Sequence, residues 1–366
     1  MSRLTVFRWD LDKTYLVSHF ESLRQIVRIP FQKASDKIAV PGVVALIGGL
    51  RETALRRGRK SRVYFLSASP PQIGGAIRDK LRMDGIVYDG ITFKDQVRNL
   101  IRGRFDAVLE QVGYKLEQLL RGARDLPAGT RELLFGDDWE SDPFVYSLYA
   151  DILEGRIGRD RAVALLECAD VNRACIARIA GLIDEDRPAL RVAGVFILRQ
   201  RPAAPSDLDG FGVRTMWFDN YFECALGLYA NGHLDSREVL DVANSVGMTS
   251  GDVAASFDAV CARGAVAREW LSPVRRELVV CGLMDRVAGG RWLGRLAALV
   301  QRLLGRPPAR LRLPPAMPNY DHLVTRWSYR GRKGAMKEVL DEQERQADVD
   351  DGEEPGGCAD DGGERG

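Results

Sequence analysis

The stretch VFRWDLDKTYLVS, Val6 to Ser18, runs from an apolar, β-rich string directly into Asp10, Asp12 and Thr14. Two later strings repeat that form. RVYFLSAS (Arg62 to Ser69) reaches Ser67 and Ser69, and RELLFGDD (Arg131 to Asp138) reaches Asp137 and Asp138, with Asp142 just beyond. Between them PGVVALIGGLRETALRRG, PPQIGGAIRDKLRMDG and VGYKLEQLLRGAR carry apolar residues at helical spacing. Short strands alternating with helices imply βαβ units, a mainly parallel sheet and right-handed crossovers. The expected fold is therefore α/β, a Rossmann-like layered parallel sheet over residues 1–155.

Beyond residue 155 helical periodicity dominates, in DRAVALLECADVNRACIARIAGLI and TMWFDNYFECALGLYANG, with one strand-like VAGVFILRQ between them. A chain of 366 residues exceeds the usual size of one core. A second, mostly helical domain is accordingly expected over 156–345. The turn-rich PAAPSDLDGFG (Pro202 to Gly212) is a loop or hinge, and residues 346–366, acidic and poor in apolar side chains, are expected to be disordered.

Hydrophobic content of 45% and charged content of 28% fit a soluble globular class, and no apolar run approaches the roughly 20 residues that a membrane span needs. The N-terminus lacks a secretory pattern, so a cytoplasmic location is expected. Six cysteines without a CxxC pair read as reduced packing residues rather than a zinc site. The formal charge of +2 conceals a basic run, RETALRRGRKSR (Arg51 to Arg62), read first as a solvated helix face and loop, with attraction to an anionic surface as its rival. RWLGRLAALVQRLLGR (Arg291 to Arg306) has the stripe of a core-facing helix, and an interfacial helix making peripheral membrane contact would share it. Residues 236–266 have helix-turn-helix spacing, but their candidate recognition segment carries Asp252 and Asp258 against Arg263. Phosphate contacts require cations, so nucleic acid is disfavoured there and a packing or protein-partner unit preferred.

If the three strands are neighbours, Asp10, Asp12, Ser67, Asp137, Asp138 and Asp142 meet in one crevice at their carboxyl ends. So much negative charge demands a cation, and hydrated Mg²⁺ with a phosphate completing its coordination would relieve the repulsion. Singly, each residue has a plainer reading. An Asp-x-Asp-x-Thr string also makes a helix cap and turn, Lys115 also reads as a surface charge, Ser69 reads better as a helix cap, and Asp138 reads equally as an exposed turn residue.

Taken in order, Asp10-Leu11-Asp12-Lys13-Thr14, Ser67 after VYFL, Lys115 in GYKLEQL, and GDDWESD (Gly136 to Asp142) resemble the four signatures of the haloacid dehalogenase-type phosphatase superfamily. FLSASPPQ (Phe65 to Gln72) and GDDWESDPFVY (Gly136 to Tyr146) narrow the resemblance to the catalytic domain of actin-patch-associated phosphatidate phosphatases, distant relatives of the lipins. Asp138, Trp139 and Glu140 depart from that family's usual Ser-Gly-Gln. The resemblance covers about residues 1–155 and implies a Mg²⁺-dependent phosphomonoester hydrolase acting on phosphatidate, another lipid phosphate or a soluble phosphorylated molecule.

By that resemblance Asp10 is the nucleophile that forms an aspartyl-phosphate, and Asp12 is the general acid and base. Asp10, the Asp12 backbone carbonyl and Asp137 are the Mg²⁺ ligands, with Asp142 as a supporting or alternate ligand. Ser67 and Thr14 donate to the phosphoryl oxygens, and Lys115 balances nucleophile and transferring group. The segment between Thr14 and Pro41 leaves room for a small lid at most. The rival expectation is a non-catalytic phosphate-binding regulatory protein that meets a partner through its helical part.

Overall fold

The computed structural model describes residues 4–17, 37–68, 71–94, 111–139, 141–184, 188–200, 210–212, 214–264, 266–285 and 317–327. Along the chain come β1 (Thr5–Asp10), α1 (Val43–Arg56), β2 (Ser61–Ser67), α2 (Gly74–Met83), β3 (Gly90–Phe93), α3 (Val112–Arg124), β4 (Arg131–Asp137), α4 (Asp142–Leu153), α5 (Arg159–Cys168) and α6 (Arg173–Asp184). Next come β5 (Arg191–Leu198), β6 (Thr215–Phe218), α7 (Tyr221–Ala230), α8 (Ser236–Ser245), α9 (Ser250–Ala262), α10 (Arg268–Val280) and α11 (Tyr320–Trp327).

The six strands form one sheet in the order β3-β2-β1-β4-β5-β6, with every neighbouring pair parallel. All six residues of β1 are buried, as a central parallel strand covered on both faces must be. Its side chains alternate between two cores. Phe7 and Trp9, with Phe65, Phe135 and Phe196, face the layer that includes Leu46 of α1, Phe222 of α7 and Phe257 of α9. Val6, with Leu134, Val195 and Ile197, faces Leu116 of α3, Phe144 of α4 and Ile179 of α6. On the first face the register sets Trp9 beside Phe135 and Phe135 beside Phe196. Their rings stack with centroids 3.8 and 5.0 Å apart, which adds about 0.5–1.5 kcal/mol per pair beyond burial and ties the three strands together.

The sheet runs on past the boundary expected at residue 155. β4 pairs with β5 from Arg131 beside Arg191 to Asp137 beside Leu198, β5 pairs with β6, and α7 packs into the core that holds Trp9. VAGVFILRQ is thus a buried strand of the same sheet, and TMWF, read as the start of a helix, is its last strand. Four residues are too few to declare a period, and the helix begins only after Asn220, whose side chain caps it by accepting from the Glu223 amide. The C-terminal part is helical: α8 lies on α1 and α7, and α9 and α10 pack with them through Val253, Phe257, Leu271 and Val274.

The five described cysteines are free thiols, and no described helix is long and apolar enough to cross a membrane. Ser69, Glu140, most of PAAPSDLDGFG, the lid segment at 18–36, the amphipathic 291–306 string and the acidic 346–366 tail lie outside the described residues.

Candidate active site

With β1 at the middle, the chain winds outward through β2 and β3 on one side and through β4, β5 and β6 on the other. Such a reversal opens a crevice at the carboxyl ends of the two central strands. Asp10 closes β1 and Asp137 closes β4, so both acids stand at that crevice. Asp142 joins them from the first turn of α4, where the helix dipole favours its charge. Its Oδ2 also accepts from the Asp137 amide at 3.4 Å. Asp10, Asp137 and Asp142 each offer a carboxylate oxygen, all within 4.8 Å of one another, and all three are buried.

Lys115 is no surface charge. It sits in the first turn of α3, fully buried, and its Nζ donates to Asp10 Oδ1 at 2.8 Å and to Asp142 Oδ1. Ser67 donates to Asp12 Oδ2 at 3.0 Å, and Thr14 Oγ1 donates to Asp137 Oδ2 at 3.2 Å. The Asp12 carboxylate therefore stands with Ser67 rather than in the three-acid cluster. All seven expected site residues gather at one rim of the sheet.

The turn after β4 differs from its plainer reading. Asp138 is buried and its Oδ1 accepts from the Gln200 amide at 2.7 Å, so it is not an exposed turn residue. Trp139 donates its amide to Asp137 Oδ1 at 2.7 Å and lays its ring 3.4 Å from the Lys13 ammonium.

Two residues that sequence reasoning missed hold the loop after β1. Gln200 Nε2 donates to the Lys13 carbonyl and the Tyr221 hydroxyl to the Thr14 carbonyl, each at 2.6 Å, from positions 187 and 207 residues further along the chain. Lys13 adopts φ 62°, a left-handed conformation that a non-glycine residue holds only when its surroundings impose it. Burial, and then the negative fields of Asp137 and Asp10, push the Tyr221 phenol well up, so it stays a donor. Their one sequence signal was placement, Gln200 as the last residue of VAGVFILRQ and Tyr221 just past TMWF, at the same end of the sheet.

Asp10, Asp12, Asp137, Asp138 and Asp142 are buried together with Lys13 and Lys115. That leaves more negative charge than a low-dielectric site tolerates. The clustered donors are all carboxylate oxygens, which suits a hard divalent cation such as Mg²⁺ better than a soft one. A doubly wound parallel sheet with acids and a buried lysine at its reversal point is the arrangement of haloacid dehalogenase-type phosphatases. Residues 9–159 match the family described as "Phosphatidate phosphatase APP1, catalytic domain", and that part of the chain is a lipin-related phosphatase catalytic domain, a phosphoric monoester hydrolase. No curated protein and no solved structure matches the chain.

Gly136 explains how Asp142 comes so close to β4. A Cβ there would lie 2.6 Å from the Asp142 Cβ and nearer still to its carboxylate. Gly136→Ala is expected to displace Asp142, lower the unfolding free energy by about 1–3 kcal/mol and cut phosphatase turnover roughly 100-fold. Urea melts and phosphate release measure the two effects, and wild-type values of both would mean that this close approach does not position Asp142.

Proposed function

We propose that the protein is a Mg²⁺-dependent phosphomonoester hydrolase that works through an aspartyl-phosphate on Asp10 and acts on phosphatidate or another lipid phosphate. The chemistry rests on the meeting of the Asp10, Asp137 and Asp142 oxygens within 4.8 Å of one another. The substrate class rests on the family match. Asp10, the Asp12 backbone carbonyl and Asp137 would hold the ion, supported by Asp142. When bound, it supplies charge neutralisation for the phosphoryl oxygens.

Asp10 attacks phosphorus in line, forming its O–P bond as the ester oxygen leaves. Asp12 gives its proton to that oxygen. It then takes a proton from the water that opens the aspartyl-phosphate, which releases phosphate and regenerates Asp10. Lys115 fixes the nucleophile's orientation and offsets charge on the transferring group. As substrate enters, the Ser67 and Thr14 hydroxyls turn from Asp12 and Asp137 to the phosphoryl oxygens.

Phosphate release from phosphatidate vesicles and from p-nitrophenyl phosphate, each with Mg²⁺ and with EDTA, tests this reading. Release from vesicles that EDTA abolishes is expected. Hydrolysis of the soluble ester alone would remove the lipid assignment and keep the mechanism, whereas EDTA-insensitive release would remove the metal. Release from neither would favour a non-catalytic phosphate-binding protein.

A further inference from the structure

A cavity of about 940 Å³ lies at the opposite end of the sheet from Asp10 and Asp137. It spans the amino-terminal ends of four strands, against Leu4 before β1, Lys60 before β2, Asp89 before β3 and Thr130 before β4. The two ends of β1, six residues long, are separated by about 17 Å. The cavity is therefore not part of the catalytic crevice.

The basic run from Arg51 to Arg62 divides into two sets there. Arg51 pairs with Asp89 at 3.1 Å, Arg56 with Asp235 and Glu238 at 3.0 and 2.6 Å, and Arg57 with Asp235. Arg59, Lys60 and Arg62 have no carboxylate partner among the described residues, and all three line the cavity. Of the two acids in its wall, Asp89 is held by Arg51, and Glu52 lies 3.5 Å from Arg56. The charge of Arg59 also reaches a neighbour. Burial, and then the charges of Arg59, Arg131 and Arg57, push the His233 imidazole down to about 4.

A convex, solvated helix face would leave such charges to water. A concave wall with an excess of one sign instead focuses the field and concentrates counter-ions. The volume is that of a small-molecule site and far exceeds one phosphate ion. We propose that this cavity is a second anion site, which binds a soluble ligand of nucleotide size carrying two or more phosphate groups. Arg59 and Arg62 grip phosphate oxygens through their paired N–H groups, and Lys60 adds a point charge. A bilayer is the poorer occupant, because a membrane held here would face away from the crevice at Asp10 and Asp137.

The test is calorimetric titration of full-length Asp10→Asn protein, in EDTA, with inorganic tripolyphosphate. One site is expected, weakened at least about tenfold by high salt and at least about tenfold by the double substitution Arg59→Ser/Arg62→Ser at these two exposed positions. Arg59→Lys/Arg62→Lys should recover most of the affinity, which separates lost charge from lost folding. Absence of binding overturns the proposal. So does binding that survives the serine pair, which would place the anion in the catalytic crevice. Tighter binding to phosphatidylserine vesicles than to tripolyphosphate overturns it in favour of a membrane surface.

Discussion

Replacing Lys115 by methionine should remove a large part of the protein's stability together with its turnover. The ammonium is fully buried and touches Asp10 and Asp142. Those acids and Asp137 offer oxygens within 4.8 Å of one another. Methionine occupies nearly the same space, so the loss is one of charge rather than of packing. Removing one partner of a buried ion pair costs about 3–5 kcal/mol, a large part of the 5–15 kcal/mol that holds a typical domain together. Turnover should fall by about 1,000-fold or more, because the nucleophile loses its orienting donor and the transferring group its counter-charge. Urea melts with and without Mg²⁺ distinguish this cause from a general packing defect. If the acids repel one another in the variant, a divalent cation returns part of the lost stability, in proportion to the logarithm of its concentration over its dissociation constant. A variant as stable as wild type without Mg²⁺ would mean that Lys115 is not the counter-ion of this cluster.

The half of the molecule that sequence reveals is the half built from local signals. β1, β2 and β4 are apolar strings that end in Asp10, Ser67 and Asp137, and α1, α2 and α3 have helical spacing between them. Placing the polar ends in one crevice needed only that the strands be neighbours, and the sheet order makes them so. Lys115 was readable through its place in the order of motifs. Its burial was not, since one lysine in a first helical turn looks like any other. VAGVFILRQ reads as a strand from composition, yet its partner is decided by pairing between Arg131 and Arg191, for which no short-range pattern exists. Gln200 and Tyr221 bond to backbone carbonyls, which every residue has, so no residue type at Lys13 or Thr14 announces them. The split of the basic run is equally remote, because the acids that claim Arg56 and Arg57 lie at the start of α8.

A chain cut after residue 159, where the family match ends, is expected to show no cooperative unfolding, in contrast to the full chain. The cut removes β5 and so leaves β4, buried at six of its seven positions, as an unpaired edge. It strips Phe196, Leu198, Phe218, Tyr221 and Phe222 from one core and Val192, Val195 and Ile197 from the other. At about 1.5–3 kcal/mol for each large apolar side chain buried, those eight outweigh the net stability of a typical domain. The site suffers separately, because Gln200 and Tyr221 no longer hold the strained turn at Lys13. Circular dichroism against urea and amide dispersion by NMR compare the fragment with the full chain. A sharp transition and native dispersion in the fragment would mean that β5, β6 and α7 are accessories to a self-sufficient phosphatase unit. If instead the fragment is unfolded, adding residues 160–366 in trans should restore both the transition and phosphate release. A complementing segment carrying Gln200→Ala and Tyr221→Phe should restore the transition while leaving release well below that of the wild-type pair, since only the loop after β1 depends on those two donors.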